Sequence, residues 1–417
     1  MPAVKHARQS VSLLAVVACT AATMAVGTAL KAPCASGDWG DQRQYLHLCY
    51  SDIVPLLYTE QLTGHRLPFI QRCAPHPDSN CDEYPVLTMY FMRVAAWISG
   101  ARTAAFYFVN AALLLMCAIA IAVCLSLMAG DRALLFALAP TLLLYGTMNW
   151  DLLAVALATG ALLAFFRRRD RWAGGLLGLG AAAKAYPALF VIPLTVQRVR
   201  EREPDRAIGL FWATAFTWIV VNLPFAVVSP GSWWEFFHFN SARLPDFDSL
   251  WYMTCSRFHA CPSTHAVNLS SFALFLILMA GVWALKARRS PGFPTWTLGY
   301  PMVVAFLLTN KVYSPQYGLW LLPWFVLALP NIWAWVAFEA ADSFVFVTRF
   351  HWFATYPALG PAWMRFELAI WLRAAILAAT LVIWIVMKHE PLAIERSVPG
   401  REHEGELDPD GPVEASA

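Results

Sequence analysis

The sequence predicts an all-α polytopic membrane protein: a bundle of about ten transmembrane helices with a short broken-helix hairpin and a long first outer loop. Hydrophobic residues make up 59% of the 417-residue chain and charged residues only 14%, whereas soluble domains carry about 25% charged residues. The apolar residues fall into runs that short basic segments separate. Nothing in this pattern indicates a separate soluble domain or a surface that binds nucleic acid.

The short basic segments orient the spans, because loops rich in Lys and Arg face the cytoplasm. Basic residues cluster at 5–8, 167–171, 198–206 and 286–289, and Lys388 follows the last apolar run. Candidate spans that fit this orientation, with both termini inside, are 11–30, 105–128, 133–148, 152–166, 207–228, 266–286, 294–309, 317–330, 332–349 and 367–387. The first run is long for a secretory signal peptide and many spans follow it, so we interpret it as a retained anchor.

The apolar stretch 173–196 is predicted to be the broken hairpin. Arginine clusters on both sides place both of its ends inside, which one crossing cannot satisfy. Two short helices that turn near Tyr186 and Pro187 can, because proline disfavours helix at the residue before it. Helices broken at membrane depth are tolerated where they line a cavity.

Lys184 lies in the middle of this stretch. A cation at that depth costs roughly 2.5–3.5 kcal/mol on insertion scales, so we expect Lys184 to face a protein-lined cavity that binds an anionic ligand. The alternative is a lysine that snorkels to the interface or pairs with a carboxylate. On the first interpretation, replacing Lys184 with methionine should leave the fold stable.

The nine cysteines fit the same topology. Cys19, Cys117 and Cys124 lie in apolar spans and are expected to be packing residues. The other six lie in segments placed outside, which indicates disulfides in an oxidising compartment. Proximity along the chain suggests the pairs Cys73–Cys81, Cys255–Cys261 and Cys34–Cys49, and no zinc-type spacing is seen.

The outer segments hold the polar chemistry. The first, about 31–103, carries acids beside aromatic residues in the patches 49–58 and 82–88, and 85–99 reads as an interfacial helix with Arg93 and Trp97 at the headgroup level. A half-buried carboxylate in such a loop could act as a general base, although most loop acids are simply solvated. Later outer segments add Lys311, Gln316 and Tyr317, and then Arg349.

Four sequence elements occur in a fixed order: Asp-Ile-x-x-x-x-Tyr at 52–58, Glu-Tyr-Pro-Val-Leu at 83–87, Lys-x-Tyr-Pro at 184–187 and Ser-Pro-Gln-Tyr-x-x-Trp-x-x-Pro at 314–323. Over roughly residues 10–390 the chain resembles the actinobacterial membrane glycosyltransferases of glycosyltransferase family 87. That family belongs to the GT-C superfamily. The resemblance implies a GT-C-like domain over 1–390, followed by a cytoplasmic tail, 391–417, that is expected to be disordered.

The resemblance also implies an activity. Such enzymes transfer a sugar, typically mannose, from a polyprenyl-phosphate donor to an acceptor, here a glycolipid or polysaccharide of the cell envelope. They use no cofactor and have no fixed need for a metal. The protein is expected in the plasma membrane with its site on the extracytoplasmic side.

The residues that match the family elements receive roles from the resemblance. An acid of the first outer loop acts as the base, and Asp52 matches it best, although Asp38, Asp41 and Glu83 remain alternatives. Lys184 is the favoured partner of the donor phosphate, followed by Lys311 and Arg349. The remaining candidate substrate-binding residues are Tyr186, Glu83, Tyr84, Gln316 and Tyr317.

Two other functions use similar features. A transporter or flippase of lipid-linked saccharides also needs intramembrane cations and broken helices, but such folds often show two similar halves, and the sequence shows no internal repeat. A non-catalytic partner in envelope assembly is the second alternative. The acidic outer loop favours the enzyme.

Overall fold

The structure is a computed structural model that describes residues 11–37, 39–64, 66–74 and 81–396. All regular structure in these ranges is helical. Several helices are long and apolar enough to cross a membrane. The predicted class, an all-α polytopic membrane protein, is therefore confirmed.

The α-helices are numbered along the chain. The first ten are α1 Leu13–Lys31, α2 Arg43–Leu46, α3 Ile53–Thr59, α4 Val86–Ser99, α5 Thr103–Ala129, α6 Leu134–Ala137, α7 Pro140–Tyr145, α8 Asp151–Phe166, α9 Asp170–Ala183 and α10 Val191–Arg200. The rest are α11 Pro204–Val228, α12 Pro230–Ala242, α13 Leu250–Phe258, α14 Thr264–Arg289, α15 Gly299–Thr309, α16 Leu322–Leu327, α17 Ile332–Phe353, α18 Pro361–Val386 and α19 Ala393–Arg396.

Five stretches have the length and hydropathy of membrane spans: Leu13–Gly37, Thr103–Ala137, Pro204–Val228, Thr264–Arg289 and Pro361–Val386. Each coincides with a predicted span. The predicted spans 133–148 and 317–330 are instead interrupted, the first between α6 and α7 and the second between the 3-10 helix Pro315–Trp320 and α16. Pro140 and Pro323, in the first turns of α7 and α16, lack the backbone N–H that a continuous helix needs.

The predicted hairpin over 173–196 is present. α9 ends at Ala183, the backbone of the next residue, Lys184, is extended, and the chain continues through the 3-10 helix Tyr186–Phe190 into α10. The start of α9 and the end of α10 meet at the open end of the hairpin, since Nε of Arg198 lies 2.6 Å from Oδ1 of Asp170. Both ends are therefore on one side, as the flanking arginines indicated.

α9 packs closely against α11 because two of its glycines face that helix. A Cβ atom on Gly174 would lie 2.2 Å from the carbonyl oxygen of Leu210, and one on Gly178 would lie 2.6 Å from that of Thr214. Any side chain at these positions would force the helices apart. The close contact fixes the position of Lys184 at the end of α9.

The outer segments carry the three expected disulfides, Cys34–Cys49, Cys73–Cys81 and Cys255–Cys261. Helix α4 is the predicted interfacial helix, with Trp97 exposed. Arg93 is buried inside the protein and donates to the carbonyl oxygens of Leu62 and Gly64. The predicted tail begins with the short helix α19, and residues 397–417 lie outside the described ranges.

Candidate active site

A polar cavity of about 380 Å³ lies where the first outer segment meets the hairpin and the later outer segments. Seven of the nine predicted site residues line it: Asp52, Glu83, Tyr84, Lys184, Gln316, Tyr317 and Arg349. These residues are distant in sequence, so their meeting in one cavity is a property of the fold.

The turn that carries Asp52 is attached to the segment just before α8 by hydrogen bonds to its backbone. Oγ of Ser51 lies within hydrogen-bond distance of the carbonyl oxygens of Thr147 and Met148, at 2.9 and 3.2 Å. The backbone N–H of Asp52 also donates to Met148, at 2.9 Å. Asp52 occupies the N-cap position of α3 but makes no side-chain capping bond, so its carboxylate is available to the cavity.

Two side-chain amides reach Oδ2 of this carboxylate. Nδ2 of Asn149 donates at 2.9 Å, and Nε2 of Gln316 lies at 3.4 Å. Asn149 also donates to the hydroxyl oxygen of Tyr84, at 2.9 Å. Asp52 therefore lies in the cavity wall with one oxygen oriented by neutral donors.

Lys184 both faces the cavity and pairs with a carboxylate. Its Nζ lies 2.8 Å from Oδ1 of the fully buried Asp151, while its own side chain is 18% exposed. Nε1 of Trp320 donates to the same Asp151 oxygen at 2.7 Å, and Nζ lies 4.7 Å from the ring centroid of Tyr317. Both sequence-based interpretations of Lys184 thus hold in part.

Arg349 enters the cavity wall from α17. It forms an ion pair with the buried Asp248, which also lies 3.7 Å from Arg373. Arg373 in turn contacts Asp342 at 3.1 Å. Arg349 is therefore held in place by a buried network in which arginines and aspartates alternate.

Arg243 is a third cation in the wall, and it is less constrained. Its side chain is 28% exposed, and Asp246, its partner, lies 4.0 Å away. Asp246 already accepts bonds from Ser314 and from the backbone of Phe247. Arg243 thus has the most donor capacity left for a ligand.

Glu83 is the other predicted carboxylate in the wall. Burial raises its pKa to about 7, and the charge of Arg243 opposes that shift. Near neutral pH, Glu83 is therefore divided between its protonated and charged forms.

Three of the sequence candidates that the structure describes do not line the cavity. Lys311 is buried and its Nζ donates to the carbonyl oxygens of Ser241 and Arg243, at 3.0 and 2.7 Å. Tyr186 stacks on Trp320 with ring centroids 4.0 Å apart. Asp41 pairs with its neighbour Arg43 in the outer segment, and Asp38 lies outside the described residues.

An apolar groove of about 460 Å³ adjoins the polar cavity, and the two share Pro85 and Phe236. Small residues of the hairpin line one side of the groove, and α11 and α12 line the other. The lining includes Ala181, Ala182, Ala185, Ala188, Ile192, Phe211, Ala215, Trp218, Trp233 and Phe237. A ligand with a polar head and a long apolar tail would fit across the two spaces.

The described residues contain one close group of potential metal ligands. Three potential ligand atoms approach one another closely at Cys73, Cys81 and Asp82. The two sulfurs there are joined in a disulfide, so they are not thiolate ligands. The cavity acids do not form such a group among the residues described.

The decisive comparison is with protein families. A model of glycosyltransferase family 87 matches residues 83–309, more than half of the chain. The chain belongs to glycosyltransferase family 87. The match includes Glu83, Tyr84, Lys184 and Tyr186, whereas Asp52, Lys311, Gln316, Tyr317 and Arg349 lie outside it.

Other comparisons give distant likenesses. ArnT from Cupriavidus metallidurans in the apo state is 13% identical, with 83% of this chain and 72% of that chain covered and a TM-score of 0.42. ArnT bound to undecaprenyl phosphate is 14% identical, with coverages of 74% and 67% and a TM-score of 0.38. No curated protein matches.

Three residues of this family 87 glycosyltransferase site were missed as site residues in the sequence. Asn149 and Asp151 flank Trp150 at the start of α8, where polar residues read as an ordinary end of a membrane span. Arg243 lies in the outer segment between α11 and α14 among other polar residues, and nothing in the sequence distinguishes it from them. Asp151 could have been sought as the partner of Lys184, because a buried cation needs a counter-charge.

Proposed function

We propose that this family 87 protein transfers a sugar, mannose in the first instance, from a polyprenyl-phosphate donor to a hydroxyl group of an envelope glycolipid or polysaccharide. The reaction takes place on the extracytoplasmic face of the plasma membrane. One observation carries the proposal: a cavity lined by three carboxylates and three cations adjoins an apolar groove between the hairpin and α11.

The two adjoining spaces match the two parts of the donor. The apolar groove offers hydrocarbon surface for the prenyl chain, while the polar cavity takes the phosphate and the sugar. The shared residues Pro85 and Phe236 mark the boundary, where the first prenyl unit would lie. Since the prenyl chain keeps the donor in the bilayer, the site has to lie at the membrane edge.

Asp52 acts as the general base. It removes the proton of the acceptor hydroxyl as that oxygen attacks the anomeric carbon. The bond from this carbon to the phosphate oxygen breaks, and polyprenyl phosphate leaves with the electron pair. The displacement inverts the anomeric configuration.

The leaving phosphate gains charge as the bond breaks, so cations placed there stabilise the transition state. Lys184 and Arg349 are held in position by Asp151 and Asp248, which makes them preorganised donors. Arg243, with its looser partner, is free to adjust to the bound phosphate. Lys311 has its donors occupied by backbone carbonyl groups and takes no part.

The proposal is tested with purified protein in lipid nanodiscs. Radiolabelled polyprenyl-phosphate mannose is supplied with extracted envelope glycolipids, and labelled products are separated from the donor. Asp52→Asn should reduce turnover by about 10²- to 10⁴-fold, the usual contribution of a general base. The matched control, Asp41→Asn, changes an acid of the same outer segment that lies outside the cavity and should keep wild-type turnover.

Each result bears on a separate alternative. Polyprenyl-phosphate glucose is supplied in parallel, and the donor that gives the faster transfer shows whether the protein prefers mannose or glucose. Full turnover of Asp52→Asn would overturn the assignment of the base, and Glu83→Gln would then be examined. Movement of labelled donor across vesicle membranes without transfer would favour a flippase, and neither transfer nor movement would favour an assembly partner.

A further inference from the structure

Asn149 donates both of its amide hydrogens to residues of the cavity wall, and its amide oxygen accepts a bond from the backbone. Its two Nδ2 hydrogens reach Oδ2 of Asp52 and the hydroxyl oxygen of Tyr84, both at 2.9 Å. Its Oδ1 accepts the backbone N–H of Trp150 at 2.6 Å. The side chain is buried, at 1% exposure.

The Trp150 contact fixes the orientation of the amide. A backbone N–H can only donate, so the oxygen of Asn149 must face Trp150 and the NH₂ group must face Asp52. The reverse orientation would place an oxygen against the Asp52 carboxylate and leave the N–H of Trp150 opposite another donor. The backbone at the start of α8 thereby ensures that the NH₂ group of Asn149, and not its oxygen, faces the Asp52 carboxylate.

From this geometry we propose that Asn149 is a positioning residue for the base: its amide holds Oδ2 of Asp52 and fixes the plane of the carboxylate toward the acceptor hydroxyl. The inference rests on the proposed function, since it gives Asn149 a role through Asp52. A hydrogen bond donated to a carboxylate also favours the charged form, and the charged form is the one that accepts the proton.

Other charged or titratable groups act on Asp52 from the elements packed around it. They are Lys31 from α1, Tyr50 beside it in the outer segment, Tyr84 before α4, Asp151 from α8, Lys184 after α9 and Arg349 from α17. A substitution at Asn149 leaves all of them in place. If the pH–rate profile shifts when Asn149 is replaced, the shift is therefore attributed to loss of the Asn149 amide.

The test compares pH–rate profiles of the full-length protein in nanodiscs, with polyprenyl-phosphate mannose as donor. Asn149→Ala should lower kcat by roughly 10- to 100-fold, the range for loss of a hydrogen bond to a charged group. The acid limb of the profile should move up by about one pH unit, and the KM for the donor should change little. Asn149→Asp keeps the shape and the contact to Trp150 but opposes two carboxylates, so its acid limb should move further.

The chain offers a matched control in Asn110. It is also buried, accepts a bond from Trp150 at Nε1 at 2.7 Å, and donates to the carbonyl oxygen of Phe106 at 2.8 Å. Asn110→Ala should lower the melting temperature without moving the acid limb. If Asn149→Ala does not fold, the isosteric Asn149→Asp supplies the profile.

The outcomes separate this inference from the function on which it rests. Absence of transfer by the wild-type protein with every acceptor would overturn the proposed function. Transfer by the wild type and its loss in Asp52→Asn, together with an unmoved acid limb in both Asn149 variants, would overturn the positioning role alone. An equal shift in Asn110→Ala would do the same.

Discussion

Lys184 and Asp151 form an ion pair with 2.8 Å between Nζ and Oδ1, in which the carboxylate is fully buried and the ammonium group faces the cavity. The two residues are 33 positions apart: Asp151 is the first residue of α8, and Lys184 lies in the turn after α9. The pair therefore joins the hairpin to the bundle at the point where the donor phosphate is proposed to bind. This dual position changes what a substitution at Lys184 should do.

Lys184→Met should be destabilising, contrary to the expectation from the sequence. Removing one partner leaves the charge of Asp151 buried and uncompensated, which costs about 3–5 kcal/mol. The double variant Lys184→Met/Asp151→Asn should recover most of the melting temperature, because the amide keeps an acceptor for Trp320. Thermal unfolding in detergent measures both.

Donor binding separates the two roles of Lys184. If Lys184 binds phosphate, the double variant should be stable yet still bind polyprenyl phosphate weakly in a direct binding assay. Asp151→Asn alone should retain the cation and bind the donor more nearly as the wild type does. Wild-type affinity in the double variant would leave Lys184 with a structural role only.

Glu60 should make stability depend on pH. Burial, with a further contribution from the charge of Glu83, raises the pKa of Glu60 from 4.5 to about 8. The folded state then holds a proton that the unfolded state releases, so stability is greatest below about pH 4.5 and falls as pH rises toward 8. Glu60→Gln should flatten this part of the melting-temperature profile, and an unchanged slope would contradict the assignment.

The apolar groove predicts a dependence on the length of the prenyl chain. Ala188 is an exposed residue of the groove wall, and Ala188→Phe would fill part of the space. The KM for a long-chain polyprenyl-phosphate donor should rise severalfold, while that for a two-isoprene analogue should stay close to the wild-type value. Equal effects on both donors would indicate that the chain lies elsewhere.

Topology is open to a labelling experiment that keeps the three disulfides intact. Only Cys19, Cys117 and Cys124 are free, so these are replaced and single cysteines are introduced. Residues 41, 78 and 244 should label from outside, and 169, 202 and 288 should not. External labelling at 202 would contradict the orientation assigned to the hairpin.

Much of the site followed from the sequence because its chemistry is locally marked. Lys184 stands out as a charge in an apolar run, and Gln316 and Tyr317 lie at a polar turn at the outer edge of two predicted spans. Asp52 was favoured by a family element, and its place in the cavity agrees with that choice without testing it.

The remainder depends on contacts that a single sequence does not reveal. Lys311 was expected to project toward the substrate, but its donors go to backbone carbonyl groups of another outer segment. Asn149 resembles any polar residue at the edge of a span until Asp52, 97 positions away, is placed beside it. In the same way, Pro140 and Pro323 mark breaks in stretches that hydropathy alone reads as continuous spans.

The attachment of Ser51 and Asp52 to the carbonyl groups of Thr147 and Met148 has an evolutionary consequence. The turn that carries the proposed base is a fixture of the helical bundle, although it belongs by sequence to the outer loop. Changes in the part of that loop between the turn and Glu83 would leave these two attachments in place. We expect members of a family built in this way to vary that part of the loop from one lineage to the next, while the turn that carries the proposed base stays attached to the bundle.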